Sequence, residues 1–208
     1  MKFQTGKLQI WTDEQQSEPH YIARAVIIAT GATAMMLNLP NEKELLGRGV
    51  STCAVCDAAF FKNRKVFVVG GGDSAMEDAL ALAKFSDDVT VVHRRDSLRA
   101  SKIMQDRVLE NSSIQVIWNT QVTKIIGKEK LEAIELETKG KKQQVDAEGL
   151  FLAIGHRPQT NLFQEQLELT KSKYLVTAQS PSQEGQQLAA QRVNNCHLYT
   201  SPSPRDRT

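Results

Sequence analysis

The sequence predicts an α/β fold built around a parallel sheet. Two short runs rich in β-branched residues, 65–69 and 89–92, predict buried strands. Between them apolar residues recur at helical spacing, and three glycines, Gly70, Gly71 and Gly72, stand where the first strand meets the helix. A strand, a glycine turn, a helix and a second strand form a β-α-β unit, whose strands lie parallel in one sheet.

The other elements follow from similar patterns. Residues 7–11 and 21–29 predict two strands of a hairpin or meander, and the second is expected to be buried as it runs into a small-residue turn at Gly31. Residues 38–49 form a connector. Ser101 is the expected N-cap of a second helix that ends near Glu110. Further strands are predicted at 114–118, 121–126, 131–137, 142–145 and 149–154, some of them in a β-meander over the sheet.

Composition narrows the class of protein. The chain has 208 residues, enough for one full domain or for one domain with part of another. Its net charge of +2 is too small to indicate a nucleic-acid or membrane surface, and no apolar run reaches the ~20 residues that span a bilayer. Its three cysteines do not form a disulfide scaffold. We therefore expect a protein of the reducing cytoplasm, without a nucleic-acid partner, a membrane or a secretory leader.

The glycine turn has the spacing of a dinucleotide-binding motif, Gly-x-Gly-x-x-Ala. The first glycine permits the tight turn, the second lets a pyrophosphate approach the backbone, and the small third residue lets the helix pack on the strand. The N–H groups that begin the helix then face the anion. The predicted site comprises Gly70, Gly71, Gly72, Asp73, Ser74 and Ala75. The alternative is a glycine-rich turn that binds nothing.

A basic cluster follows about 20 residues after the glycines, where the two common dinucleotides are told apart. An NAD site usually carries an acidic residue there for the ribose hydroxyls, whereas this chain has His93, Arg94 and Arg95, with Arg99 four residues on. Because a guanidinium group offers a planar fork suited to a phosphate, the cluster favours NADPH over NADH. The alternative is a solvated basic loop.

A Cys-x-x-Cys motif precedes the glycines. Cys53 and Cys56 can form a redox disulfide, supply half of a zinc site, or be an ordinary surface pair. The remaining cysteine, Cys196, is far away in sequence and no histidine cluster completes a zinc site, so we expect a redox pair and no metal. Asp57 is a candidate proton donor for a leaving thiolate, or else a carboxylate that complements a helix dipole. Because nicotinamide passes a hydride, a mediator such as flavin normally stands between it and a dithiol.

With these motifs the chain resembles the low-molecular-weight thioredoxin reductases of the class-II pyridine nucleotide-disulfide oxidoreductases. The similarity runs over about residues 20–177. It rests on five motifs: Ala29-Thr30-Gly31-Ala32, Cys53-Ala-Val-Cys56-Asp57, Gly70-Gly-Gly-Asp-Ser-Ala75, His93-Arg-Arg-x-x-x-Arg99-Ala100 and Ala153-Ile154-Gly155-His156-Arg157-Pro158.

The resemblance implies an activity and roles for individual residues. Electrons would pass from NADPH through FAD to the disulfide, and from there to thioredoxin or a thioredoxin-like protein. Cys56 would face the flavin, Cys53 would attack the substrate disulfide, and Asp57 would donate the proton. The three arginines would hold the 2′-phosphate. The resemblance also assigns Ile154 and Gly155 to the NADPH site, Thr30, Gly31 and Ala32 to the FAD site, and a homodimer to the full-length protein.

The resemblance predicts a Rossmann-like NADPH-binding domain, a parallel sheet with a β-meander, flanked by partial FAD-domain segments. We expect residues 1–48 to end the first FAD segment, 49–157 to form the NADPH domain, 158–180 to begin the second FAD segment, and 181–208 to be a disordered or non-native tail. The family's FAD glycine motif is not found before Gly31, and no Gly-Asp pair follows Gly155. We therefore expect a fragment truncated at both ends, inactive alone and without stable flavin. Alternatives are an isolated NADP(H)-binding module, the reductase of a peroxide-reducing system, and a zinc-binding structural domain.

Overall fold

The chain divides into two compact units in a computed structural model that describes residues 2–4, 7–13, 15 and 17–177. The central unit is Ala34–His156, and the flanking unit combines Met1–Thr33 with Arg157–Thr208. The tail expected at 181–208 lies outside the described residues. In the part of the chain that is described, no helix has the length and apolar character to cross a membrane.

The elements alternate between strands and helices in the first half of the central unit and are strands in its second half. The strands are β1 Lys2–Gln4, β2 Lys7–Ile10, β3 Tyr21–Ala23, β4 Ala32–Ala34, β5 Val50–Ser51, β6 Val66–Gly70, β7 Val89–Val92, β8 Ile114–Ile117, β9 Thr120–Gly127, β10 Leu131–Thr138, β11 Lys141–Asp146, β12 Gly149–Ala153 and β13 His156–Pro158. The helices are α1 Ala54–Asp57, α2 Asp73–Leu82 and α3 Lys102–Leu109, with 3₁₀ turns at Ala58–Phe61 and Asn161–Phe163.

The central unit is organised around a five-stranded parallel sheet of order β5-β12-β6-β7-β8. Its inner strands are apolar along nearly their whole length, as expected for a sheet that is covered on both faces. Alternate residues of β6 enter two cores: Val66 and Val68 pack with α2, and Phe67 and Val69 pack with the meander. The prediction of an α/β fold with a parallel sheet is confirmed.

The β-meander is formed by β9, β10 and β11, which pair antiparallel. Ile125 and Ile134 of this meander are buried in the same core as Leu150 of the parallel sheet. The meander therefore covers one face of the sheet, as predicted. The opposite face is covered by α2, whose buried residues recur at helical spacing: Ala75, Met76, Ala79 and Leu82.

The flanking unit contains a three-stranded antiparallel sheet, β1-β2-β3. The expected pairing of the two early runs is correct, but β3 ends at Ala23 and the prediction of a buried strand through Ala29 is wrong. Ile27 is 93% exposed. An apolar run becomes a buried strand only where neighbouring strands cover it, and no described strand pairs with residues 24–29.

Candidate functional site

The glycine turn joins β6 to α2, and its first residue is where the backbone is most crowded. A Cβ at Gly70 would lie 2.5 Å from the carbonyl oxygen of Ala153 and 2.6 Å from the Cβ of Ala75, so no larger residue fits. Gly72 is the N-cap of α2 and no side chain caps the helix there. A Cβ at Gly72 would meet nothing within 4 Å, so the start of the helix faces open space that an anion can enter.

This open space is part of a cleft of about 720 Å³, here called the nucleotide cleft. Apolar residues of the connector, including Leu37 and Leu39, form one wall, and residues of β9 such as Thr123 form another. Most of the site residues predicted from sequence line it: Gly70, Gly71, Gly72, Asp73, Ser74, His93, Arg94, Arg99, Ile154 and Gly155. Ala75 is buried in the core beneath the turn.

His93 is 5% exposed, and both of its ring nitrogens face backbone carbonyl groups. Nδ1 lies 2.8 Å from the oxygen of Gly70, and Nε2 lies 2.9 Å from the oxygen of Ser97. The ring also meets Trp118 edge-on, with centroids 6.1 Å apart. Its nitrogens therefore connect the glycine turn to residues 93–99, here called the basic loop.

The far end of the basic loop is also tied to the glycine turn. Arg99 and Ala100 donate their backbone N–H groups to the Gly71 carbonyl, over 2.7 and 3.2 Å. Ser101, the N-cap residue of α3, donates its N–H and its hydroxyl to Asp73 Oδ1, each over 2.8 Å. These two hydrogen bonds lower the pKa of Asp73. Both ends of the basic loop are thus held by hydrogen bonds to the glycine turn, which lies about 20 residues earlier in the chain.

The three arginines of the basic loop are exposed. Among the described residues none of their guanidinium groups forms an ion pair within 4.0 Å. Arg94 and Arg99 line the nucleotide cleft, whereas Arg95 is not among its lining residues and its carbonyl accepts the N–H of Asn119. Two cations that pair with no carboxylate of the described residues therefore border the cleft, where they favour an anionic ligand.

Cys53 and Cys56 are bonded as a disulfide, with their Cα atoms 5.3 Å apart, and are here called the thiol pair. The pair lies on α1: Cys53 is its N-cap, and the Cys53 Sγ accepts the N–H of Cys56 over 3.3 Å. Cys56 is exposed, as are the apolar side chains Val55 and Phe60 beside it. The pair is accordingly open to a reaction partner.

Asp57 is connected to the thiol pair through Ser51, a residue that the sequence reasoning missed. The hydroxyl of Ser51 donates to Asp57 Oδ2 over 2.7 Å and accepts the backbone N–H of Cys53 over 3.0 Å. Ser51 is 5% exposed. Its signal in the sequence is a small hydroxyl residue at the end of a strand, two positions before a Cys-x-x-Cys motif.

Asp78 of α2 is a second carboxyl group near the thiol pair that sequence reasoning missed. Burial raises its pKa to about 6, while the backbone N–H of Ala54, the first residue of α1, and the charge of His156 act in the opposite direction. The adjacent Glu77 adds to the rise. Its only signal in the sequence is an acidic residue that lies beside the apolar positions of the helical pattern, and the structure shows it half-buried.

The stretch assigned to flavin, Thr30, Gly31 and Ala32, lies in the flanking unit and is exposed. Gly31 has φ 72°, and its carbonyl accepts the N–H of Gln159 over 2.9 Å. Exposed residues of this kind supply one edge of a site and do not enclose an isoalloxazine ring.

A parallel sheet, a glycine turn with its basic loop and a thiol pair thus occur together in the central unit. Residues 1–184 match the family model of pyridine nucleotide-disulphide oxidoreductases, and the chain belongs to that family. Several of its relatives are named thioredoxin reductases. Over 180 residues the chain is 49% identical to the thioredoxin reductase of Streptomyces clavuligerus. The aligned region covers 86% of this chain and 55% of that relative.

Solved structures agree with this placement. The thioredoxin reductase of Streptococcus pyogenes superposes with a TM-score of 0.67 at 42% identity, over 76% of this chain and 52% of that one. The thioredoxin reductase of Lactococcus lactis superposes with a TM-score of 0.74 at 35% identity. The match covers 85% of this chain and 58% of that one. The chain therefore spans about half the length of the relatives that it matches.

Proposed function

We propose that this chain carries the NADPH and disulfide sites of an FAD-dependent reductase whose substrate is the disulfide of thioredoxin or a thioredoxin-like protein. The observation that carries the proposal is the presence, within the one central unit, of the thiol pair and of a cleft bordered by a glycine turn and unpaired arginines. Residues 49–157 would be the NADPH domain, and 1–48 and 158–180 parts of the FAD domain. The whole protein would act as a cytoplasmic homodimer.

The nucleotide cleft fits NADPH. A pyrophosphate would lie at Gly72, where no Cβ fills the space and the N-terminus of α2 supplies N–H groups. Arg94 and Arg99 would bind the 2′-phosphate, with Arg95 adding charge from outside the cleft. Ile154 and Gly155 follow Ala153, the residue of β12 that pairs with Gly70, and would form the part of the wall beside the turn.

The thiol pair would perform disulfide exchange. After two electrons have broken its S–S bond, the Cys53 thiolate attacks one sulfur of the target disulfide and forms a mixed disulfide, releasing the other target sulfur as a thiolate. Cys56 then attacks Cys53, which restores the pair and releases the target as a dithiol. The Cys56 N–H that faces Cys53 Sγ stabilises a thiolate there, which supports Cys53 as the nucleophile. Asp57 would supply the proton to a leaving thiolate.

A flavin supplies the conversion of hydride transfer into disulfide reduction when it is bound. Thr30, Gly31 and Ala32 would contribute an edge of the FAD site in the whole protein. Because this edge is exposed, a second candidate function for the 208-residue chain is an NADP(H)-binding module without flavin chemistry. An absorbance scan of the purified chain distinguishes the two, and we expect no flavin bands.

A trapping experiment tests the assignment of substrate and nucleophile. In a Cys196→Ser background, the chain is reduced, freed of reductant and mixed with oxidised thioredoxin. We expect Cys56→Ser to accumulate a mixed disulfide through Cys53, and Cys53→Ser to accumulate far less. Equal trapping by both variants would contradict the role of Cys53, and trapping by neither would contradict thioredoxin as the partner.

A further inference from the structure

We infer that Ser51 is a positioning residue for the thiol chemistry, whose buried hydroxyl holds the Asp57 carboxyl group in place for proton exchange with the thiol pair. The inference rests on the proposed function, because it takes Asp57 to be the proton donor. It adds a residue that is not among those lining the nucleotide cleft and whose hydroxyl group bonds to Asp57 and to the Cys53 backbone.

The backbone of Ser51 is fixed by the sheet. It is the last residue of β5, and it pairs with Phe151 of β12 in parallel register. Phe151 is fully buried and meets Phe61 edge-on, with centroids 5.0 Å apart. A side chain on this strand is therefore held by the core of the central unit, whereas α1 has only four residues.

The hydroxyl oxygen of Ser51 lies 2.7 Å from Asp57 Oδ2 and 3.4 Å from the Cys53 carbonyl oxygen, so its single proton is donated to the nearer, charged acceptor. A hydroxyl has one O–H to donate and lone pairs to accept with. Ser51 accepts the Cys53 N–H and donates to Asp57 Oδ2, so the carboxyl group is oriented by a donor on a rigid strand. In the described part of the chain no hydrogen bond engages Asp57 Oδ1. That oxygen is left to carry the proton that the thiol pair exchanges.

The reduction of the disulfide by dithiothreitol reports on this proton. A dithiothreitol thiolate attacks one cysteine sulfur, the Cys53–Cys56 bond breaks, and the departing thiolate takes the proton of Asp57. The second dithiothreitol thiol then gives its proton to the Asp57 carboxylate, and its sulfur closes the cyclic disulfide. The other cysteine is released as a thiolate, which takes a proton from solvent. Two electrons pass from the reagent to the protein, and no flavin or nucleotide takes part.

A double-mutant cycle separates positioning of Asp57 from support of the loop through the Cys53 N–H. The rate constant for reduction is measured from pH 6 to pH 9 by acid quench and mass spectrometry, in the full chain with Cys196→Ser. We expect Ser51→Ala to slow reduction about fivefold to tenfold and to give the pH profile of Asp57→Asn. The double variant should be no slower than Asp57→Asn, and Ser51→Thr, which keeps the hydroxyl, should recover most of the rate.

Ser86 provides a matched control, because it is also a buried serine of the central unit. Its hydroxyl donates to the Arg64 carbonyl and accepts the Asp88 N–H, remote in sequence from the thiol pair. Ser86→Ala should leave both the rate and its pH profile unchanged. Full additivity of Ser51→Ala with Asp57→Asn, or an unchanged rate in Ser51→Ala, overturns the inference alone. An unchanged rate in Asp57→Asn overturns both the inference about Ser51 and the assignment of Asp57 as proton donor. The nucleotide part of the proposed function is tested separately, by NADPH binding.

Discussion

The imidazole ring of His93 lies against the backbone of Gly71, so close that a Cβ at position 71 would stand 2.2 Å from Cε1 and 2.3 Å from Nδ1. The middle glycine of the turn is therefore required by a residue 22 positions later rather than by its own backbone angles. With one ring nitrogen 2.8 Å from the Gly70 oxygen and the other 2.9 Å from the Ser97 oxygen, the His93 ring lies between the glycine turn and the basic loop and connects them.

Gly71→Ala should displace the His93 ring and weaken NADPH binding about tenfold or more, because the basic loop loses its anchor. Isothermal titration calorimetry measures the loss. His93→Ala should also weaken binding, but in the double variant the added methyl group has room, so the two losses should be far from additive. Additive losses, or an unaffected Gly71→Ala, would show that the ring does not hold the loop.

The arginines of the basic loop should separate the two nicotinamide nucleotides. Arg94→Ala and Arg99→Ala should each lower NADPH affinity about tenfold and leave NADH affinity nearly unchanged, because only NADPH carries the 2′-phosphate. Arg95→Ala should lower NADPH affinity by a smaller factor, since Arg95 does not line the cleft. Titration with both nucleotides measures the selectivity.

Arg64 is the matched control for these variants, since it pairs with Glu148 over 3.6 Å and is absent from the lining of the cleft. Arg64→Ala should bind both nucleotides as the parent chain does. Equal affinity of the parent for NADH and NADPH would refute the assignment of the loop to the 2′-phosphate.

Asp78 should make the stability of the chain depend on pH. Because its pKa is raised from 3.8 to about 6, the folded state holds a proton that the unfolded state has released between these values. Stability should therefore fall as pH rises from about 4 to about 6. Asp78→Asn removes this loss and keeps an acceptor for the Ala54 N–H, so it should stabilise the chain at pH 7 by about 1 kcal/mol after allowance for solvent screening.

Thermal unfolding across this pH range measures the effect, with Glu129→Gln, at an exposed position between β9 and β10 and remote in sequence from Asp78, as control. The Asn variant should flatten the pH dependence and the Gln variant should change it little. An Asn variant less stable than the parent at pH 7 would mean that the ionised carboxylate is held by favourable contacts.

Glu42 should be essential to the wall of the nucleotide cleft. Its carboxylate is 1% exposed and accepts the backbone N–H groups of Leu37, Asn38 and Leu39, over 2.6, 2.7 and 3.3 Å. Glu42→Gln places an NH₂ group where only acceptors fit, so it should cost about 2 kcal/mol of unfolding free energy and weaken NADPH binding. Urea denaturation measures the first effect, and Glu44→Gln, exposed on the same turn, should show neither.

The elements predicted best are those whose pattern is local. The bounds of β7 at Val89–Val92 and the N-cap at Ser101 agree with the sequence, because strand runs and helix caps are written in adjacent residues. The roles of Ser51 and Glu42 were missed because each depends on which backbone groups meet one side chain after folding. The sequence assigned His93 to the nucleotide site because the arginines of the basic loop follow it. No pattern in the adjacent residues indicates that its ring is buried against the glycine turn.

The central unit begins and ends at one place. Met35 donates its N–H to the carbonyl of Gly155 over 2.9 Å, and β5, its first strand in the sheet, is the neighbour of β12, its last. A unit whose ends meet is suited to insertion into another chain as a single block. Its own ends can equally be joined by a short linker and new termini opened at an exposed turn such as that at Gly140, giving a circular permutant that keeps the nucleotide cleft and the thiol pair.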